Sequence, residues 1–129
     1  VSVIDPATNT VRETVSVGRD PVGVAVDANT DLVYVTNAGD GTMSVIDIKT
    51  MQIAATVTPG AGAADLAVDT GAGAAYVVTG RSVRVFDSVT REVVGTIAID
   101  QELKSIAVDP GTGAVYVMLK RTMLEGRDE

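Results

Sequence analysis

An all-β chain assembled from repeated four-stranded units is the fold this sequence predicts, on three observations. Short apolar strings recur along it. Val24-Ala25-Val26-Asp27 returns as Leu66-Ala67-Val68-Asp69 and Ile106-Ala107-Val108-Asp109, and Val33-Tyr34-Val35 returns as Ala75-Tyr76-Val77 and Val115-Tyr116-Val117. Val3-Ile4-Asp5 returns as Val45-Ile46-Asp47 and Val85-Phe86-Asp87, and Thr14-Val15 as Thr56-Val57 and Thr96-Ile97, always at offsets of 42 and then 40 residues. Each repeat of that length holds four short apolar stretches, which is the pattern of β-propeller blades. Composition agrees: Val and Ala dominate a chain that is 46% hydrophobic and only 3% aromatic, with 13 Gly and 4 Pro to punctuate turns. The core is then thin aliphatic packing between sheets, with Tyr34, Tyr76 and Tyr116 as inter-blade core residues in preference to an exposed stacking platform.

Each repeat resolves into strands a, b, c and d. In the best-defined copy, strand a covers 22–27 and a turn at Ala28-Asn29-Thr30 leads to strand b, 32–36. A loop over 37–42 leads to strand c, 43–47, which alternates Val45 and Asp47 against Ser44 and Ile46. A turn over 48–51 leads to strand d, 52–58, rich in β-branched residues. Asp27, Asp69 and Asp109 close strand a, and Asp5, Asp47 and Asp87 close strand c; a short carboxylate there accepts bonds from N–H groups one or two residues on, so the recurrence needs no catalytic role. From the start the order is c-d, a-b-c-d, a-b-c-d, a-b: a half blade, two whole blades and a half blade, about three blades' worth over residues 1–118, in strands of four to seven residues with no helix longer than one turn. Residues 119–129 lose the alternation and read as an irregular charged tail.

Tyr34-Val35-Thr36-Asn37, followed by a Gly-containing loop and Met43-Ser44-Val45-Ile46-Asp47, resembles the YVTN-type repeat family of β-propellers, also called YncE-like. Tyr76-Val77-Val78-Thr79 and Tyr116-Val117-Met118-Leu119 depart from it by losing the Asn. The resemblance implies an incomplete part of a larger ring of about seven blades. It implies a bacterial or archaeal protein that is secreted, periplasmic or part of a surface layer. It implies no shared catalytic residue, and none is assigned.

Several chemistries are excluded or disfavoured. There is no Cys, so no disulfide and no thiolate metal site, and no His, so no Ser-His-Asp or Cys-His arrangement and no imidazole ligand for a metal or haem. A net charge of −7 without a basic cluster argues against a nucleic-acid partner. No stretch approaches the 18 apolar residues of a membrane span. Because the chain opens at Val1 inside a strand, any targeting signal is expected outside it. Asp27-Ala28-Asn29-Thr30-Asp31 opens like a calcium loop, but Leu32 stands where that loop needs Gly and Ala38 where it needs Glu, so it reads as a hairpin turn. Gly60-Ala61-Gly62 and Gly71-Ala72-Gly73 open no helix and precede no GK[ST], so they read as connections and not as phosphate cradles. No cofactor and no metal are expected.

Propeller geometry places the a–b and c–d turns on one face and the b–c and d–a loops on the other. The second face carries the less repetitive polar residues: Arg19, Asp20, Asn37, Asp40, Arg81 and Lys104 as candidate binding residues, with Gln101, Glu102, Lys120 and Arg121 beside them. The expected function is a non-enzymatic scaffold that binds a protein or a small ligand. The alternative is a segment of a propeller enzyme, of lyase, lactonase or oxidoreductase type, with its site in the central channel. Three blades do not close a ring, and both end strands are as apolar as interior ones. The remaining blades of a longer chain, or a second copy, are therefore expected as partners.

Overall fold

A computed structural model describes residues 1–60 and 62–120. Twelve antiparallel strands make up its regular structure: β1 (Ser2–Asp5), β2 (Thr10–Thr14), β3 (Pro21–Asp27), β4 (Leu32–Asn37), β5 (Thr42–Asp47), β6 (Gln52–Val57), β7 (Ala63–Asp69), β8 (Ala74–Thr79), β9 (Ser82–Asp87), β10 (Glu92–Ala98), β11 (Leu103–Asp109) and β12 (Ala114–Leu119). They form a two-stranded sheet β1-β2, four-stranded sheets β3-β4-β5-β6 and β7-β8-β9-β10, and a two-stranded sheet β11-β12. This is the expected half, whole, whole, half order, with no helix among the described residues. Strand β12 runs one residue past the expected end, to Leu119, and residues 121–129 of the expected tail, Arg121 included, lie outside the described residues.

Strands β3, β7 and β11 stand side by side, so the blades radiate from a common inner edge. Burial falls outward from it. Strand β4 is almost wholly buried, whereas the outermost strands β2, β6 and β10 are mostly exposed. The core is a series of inter-blade layers. Val15, Val35 and Ile46 fill the first. Leu32, Tyr34, Met43, Val45, Leu66, Val77 and Phe86 fill the second, with Tyr34 and Phe86 edge to face at 5.9 Å between centroids. Val78, Val83, Leu103 and Ile106 fill the third, with Tyr76 packed against it. Burying a large apolar side chain in such a layer stabilises by about 1.5–3 kcal/mol, and the largest residues sit where two whole blades meet.

The repeated aspartates do what their spacing predicts. One Oδ1 of each of Asp5, Asp27, Asp47, Asp69, Asp87 and Asp109 accepts the N–H two residues on, at 2.8–3.1 Å. The four-residue turns they cap end on a left-handed residue: Asn9, Met51 and Arg91 in the c–d turns, and Asp31, Gly73 and Gly113 in the a–b turns. Two β-bulges per blade were not legible from alternation. In the a–b pairs they fall between Pro21 and Gly23, Ala63 and Leu66, and Leu103 and Ser105; in the c–d pairs, beside Val3, Val45 and Val93. Such bulges sharpen the strand twist that lets flat sheets pack as blades.

Candidate functional site

The face bearing the b–c and d–a loops is held together by backbone bonds between those loops. Ala38 N donates to Asp20 O at 3.0 Å and Gly39 N to Arg19 O at 2.9 Å. At the next blade Ile99 N donates to Arg81 O at 3.0 Å and Leu103 N to Gly80 O at 2.9 Å. The sequence-predicted site residues therefore fall into two groups. Arg19, Asp20, Asn37 and Asp40 meet where loop 15–20 crosses loop 38–41. Arg81 and Lys104 belong to the second crossing, both exposed, Lys104 beside the bulge of β11. Near them Glu102 and Lys120 form an exposed ion pair at 3.6 Å.

The first group forms a cleft. Asp40 sits at its centre: Oδ2 accepts Arg19 N at 3.1 Å, and Oδ1 accepts Thr42 N at 3.2 Å and the Thr42 hydroxyl at 2.5 Å. The Thr42 hydroxyl, then the Arg19 N–H, hold the Asp40 carboxyl below its ordinary range, so the negative charge persists into mild acid. The Arg19 guanidinium turns aside and donates to Gly39 O at 3.2 Å. Beneath, Asn37 is fully buried and its Nδ2 donates to Ser44 Oγ at 3.0 Å and Thr42 Oγ1 at 3.2 Å, while Asn37 Oδ1 has no partner. Asn37 therefore acts by orienting hydroxyls instead of facing a ligand. The opening measures about 320 Å³ and is lined by Ser16, Gly18, Asp40, Thr42, Ser44 and Thr56 among others.

Two glycines make the crossing possible. A Cβ at Gly18 would stand 2.7 Å from Asp40 Oδ2 and 2.8 Å from the Asn37 side chain, and one at Gly39 would stand 2.8 Å from Asp20 Oδ2. Reading the sequence for polar loop residues missed Gly18 and the hydroxyls of Ser16, Ser44 and Thr56. A signal for the cleft was nevertheless present. The change of repeat spacing from 42 to 40 residues is a b–c loop of four residues, 38–41, between β4 and β5, against two, Gly80-Arg81, between β8 and β9. Asp40 exists only in the longer loop. Where the loop is short, Thr79 replaces Asn37 and its hydroxyl meets Ser82 Oγ at 3.0 Å.

Other candidate groups lie elsewhere. Asn29 of the calcium-like segment donates its Nδ2 to Thr70 O at 3.0 Å, tying two a–b turns together, and Asp31 pairs with Lys49 at 3.7 Å. Among the described residues no three acidic side chains gather around one point. No described helix is long and apolar enough to cross a membrane.

No sequence-family profile matches the chain, and no curated protein matches it. Solved structures do. Kuenenia stuttgartiensis hydrazine synthase superimposes with a TM-score of 0.84 at 22% identity, over 93% of this chain and 36% of its own. The dihydro-heme d1 dehydrogenase NirN, in complex with DHE, gives 0.76 at 17% identity, over 94% and 28%. The Cps50 (Swd1) β-propeller domain of Myceliophteria thermophila gives 0.71 at 15% identity, over 84% and 35%. The chain spans about a third of the length of these neighbours. At such identities the likeness speaks to architecture alone, and with the four-stranded radial sheets it makes this chain about three blades' worth of a β-propeller.

Proposed function

We propose that the chain is part of a binding scaffold of the YVTN type, working at a bacterial or archaeal cell surface or in the periplasm, and that the cleft around Asp40 is its binding site. The observation that carries this reading is the built floor of the cleft. Buried Asn37 fixes the hydroxyls of Thr42 and Ser44 beside a carboxylate that two loops hold in place. A fixed carboxylate among hydroxyls suits a small ligand bearing several hydroxyls, or an ammonium group, presented free or on a protein. Propellers serve both as enzymes and as recognition modules, and the names of two structural neighbours support the second reading, an enzyme segment with its site in the channel. The scaffold reading is preferred because the polar side chains that converge do so in the loop cleft, whereas inner strand β3 presents Val22, Val24 and Val26.

The test is ligand-observed NMR of the chain against a panel of neutral and amino monosaccharides. Saturable binding is expected, weakened at least tenfold by Asp40→Ala and by Gly18→Val, with thermal stability of Asp40→Ala within a few degrees of the parent. Absence of any saturable ligand, or binding unchanged in both variants, removes the cleft from consideration.

A further inference from the structure

Equivalent positions in the repeat report which surfaces lack a neighbour. Val24, Leu66 and Ile106 occupy one position on the inner strands; Leu66 and Ile106 are 4% and 8% exposed, but Val24 is 60% exposed. Tyr34, Tyr76 and Tyr116 occupy one position on the second strands; Tyr34 is 0% exposed and Tyr116 is 63%. In the two covered junctions these positions meet: Tyr34 and Leu66 share one core layer, Tyr76 and Ile106 the next. The bare Val24 face lacks a Tyr-bearing strand b, and the bare Tyr116 face lacks an inner strand a. A groove of about 280 Å³ lined by Val1, Pro21, Val22, Gly23, Val24 and Val35 marks the first of these surfaces.

The free strand edges match in the same sense. Strand β1 is a strand c paired only to β2, and β12 is a strand b paired only to β11 among the described residues. In the whole blade, b and c pair as Tyr34 with Val45, Val35 with Ser44 and Leu32 with Asp47. Carried over by repeat position, β12 would pair with β1 as Tyr116 with Val3, Val117 with Ser2 and Ala114 with Asp5. That single docking completes the β1-β2 sheet to four strands and lays Tyr116 against Val24. One hairpin thus satisfies an edge and a face together, in the geometry the molecule already uses twice.

We propose that the surface formed by the β1 edge and the Val22, Val24 and Val26 face is a docking site for the β11-β12 hairpin of a second copy of this chain. Each copy carries one donor hairpin and one acceptor groove, so two copies joined reciprocally give six blades' worth of strands in a two-fold ring. Association covers apolar surface and unpaired strand edges that otherwise invite irregular aggregation. The proposal is independent of the cleft reading.

The absence of cysteine makes a cross-linking test clean. Ser2→Cys with Val117→Cys is expected to oxidise to a discrete covalent dimer, and Ser2→Cys with Val115→Cys, two residues out of register, to do so at least tenfold more slowly. Sedimentation of the 129-residue chain should give twice the monomer mass. Tyr116→Asp should weaken association at least tenfold without unfolding the protomer, where Tyr116 is exposed. A monomer at 100 µM (about a thousandfold above a 100 nM dissociation constant) overturns the proposal, as do equal cross-linking rates for the two pairs or an unaffected Tyr116→Asp. If further blades of a longer polypeptide fill the groove, that chain stays monomeric and the in-register pair forms no intermolecular bond, which also overturns it.

Discussion

The two whole blades share a frame and differ in how they close their edges. The blade of β3–β6 has a four-residue b–c loop carrying Asp40, buried Asn37 beneath it, and Gly23 where it abuts the next blade. The blade of β7–β10 has a two-residue turn, Thr79 in place of Asn37, and Asp65 in place of Gly23. At the Gly23 junction the blades approach so closely that Thr36 Oγ1 bonds Ala64 O, and a Cβ on Gly23 would stand 2.8 Å from Thr36 Oγ1 and 3.0 Å from Ala64 O. At the Asp65 junction a side chain spans the gap instead, Asp65 Oδ2 accepting Ile106 N at 3.1 Å. One repeat position thus supports a steric contact in one blade and a hydrogen bond in the next. What a residue contributes here is set by the neighbouring blade as much as by its own.

The largest test of that rule uses the tyrosines. Tyr34→Ala should cost about 3–5 kcal/mol, because Tyr34 is fully buried against Phe86. Tyr76 is half-buried, since the sheet covering it lacks a strand c to supply the counterpart of Phe86. Its replacement by Ala should cost roughly half as much. Equal losses in denaturant unfolding would mean that burial does not govern the difference. Next in size, Gly23→Ala should lose about 1–3 kcal/mol through overpacking against a backbone carbonyl. Asp65→Ala should lose about 1–2 kcal/mol by removing the acceptor of Ile106 N. Introducing Gly at position 65 together with Ser at 105 would not rescue it if the hydrogen bond is what matters.

How much of this was legible beforehand follows from the range of each interaction. The strands, their order and the aspartate-capped turns are local, and period-2 alternation, β-branched runs and Asp at fixed spacing expose them directly. The inner position of β3, β7 and β11 followed from repeat length alone. The bulges were hidden, because one unpaired residue such as Val22 or Ala54 does not break a run of apolar residues. The cleft was half visible. Arg19, Asp20, Asn37 and Asp40 stood out as irregular polar residues on one face, yet their convergence depends on two glycines at a loop crossing, a contact between residues about 20 apart. Arg81 and Lys104 stood out for the same reason and converge on nothing comparable.

A smaller effect separates Tyr34 from Tyr116 at high pH. Burial, and then the nearby Asp27 charge, raise the Tyr34 phenol above its ordinary value of 10.0, and its hydroxyl has no partner in the core. The raised group favours folding while protonated: the contribution is intact below pH 10 and disappears as pH climbs through the folded-state value, since the unfolded chain ionises first. Absorbance titration should therefore show Tyr34 ionising after exposed Tyr116. Tyr34→Phe, which removes an unpartnered hydroxyl, should shift neutral stability by less than about 1 kcal/mol and flatten its alkaline decline. Coincident titration of the two phenols would contradict the burial assigned to Tyr34.

The smallest difference lies in the c–d turns, where each blade places a non-glycine residue in the left-handed region, Met51 at φ 57° and Arg91 at φ 60°. The a–b turns of two blades use Gly73 and Gly113 at the same place. A side chain in that region costs on the order of 1 kcal/mol, and glycine relieves it at the expense of a more flexible unfolded chain, so the net gain from substitution is about 0.5 kcal/mol. That gain is expected for Arg91→Gly, whose side chain is exposed. Met51 is different, because its side chain packs on the layer of Val15, Val35 and Ile46. Met51→Gly removes that cover along with the strain, and the lost burial of a partly buried thioether side chain, roughly 1 kcal/mol, outweighs the relief. The two substitutions should therefore move the unfolding midpoint in opposite directions, Arg91→Gly upward and Met51→Gly downward. Matching shifts would show that the turn strain, and not the first inter-blade layer, decides what Met51 is for.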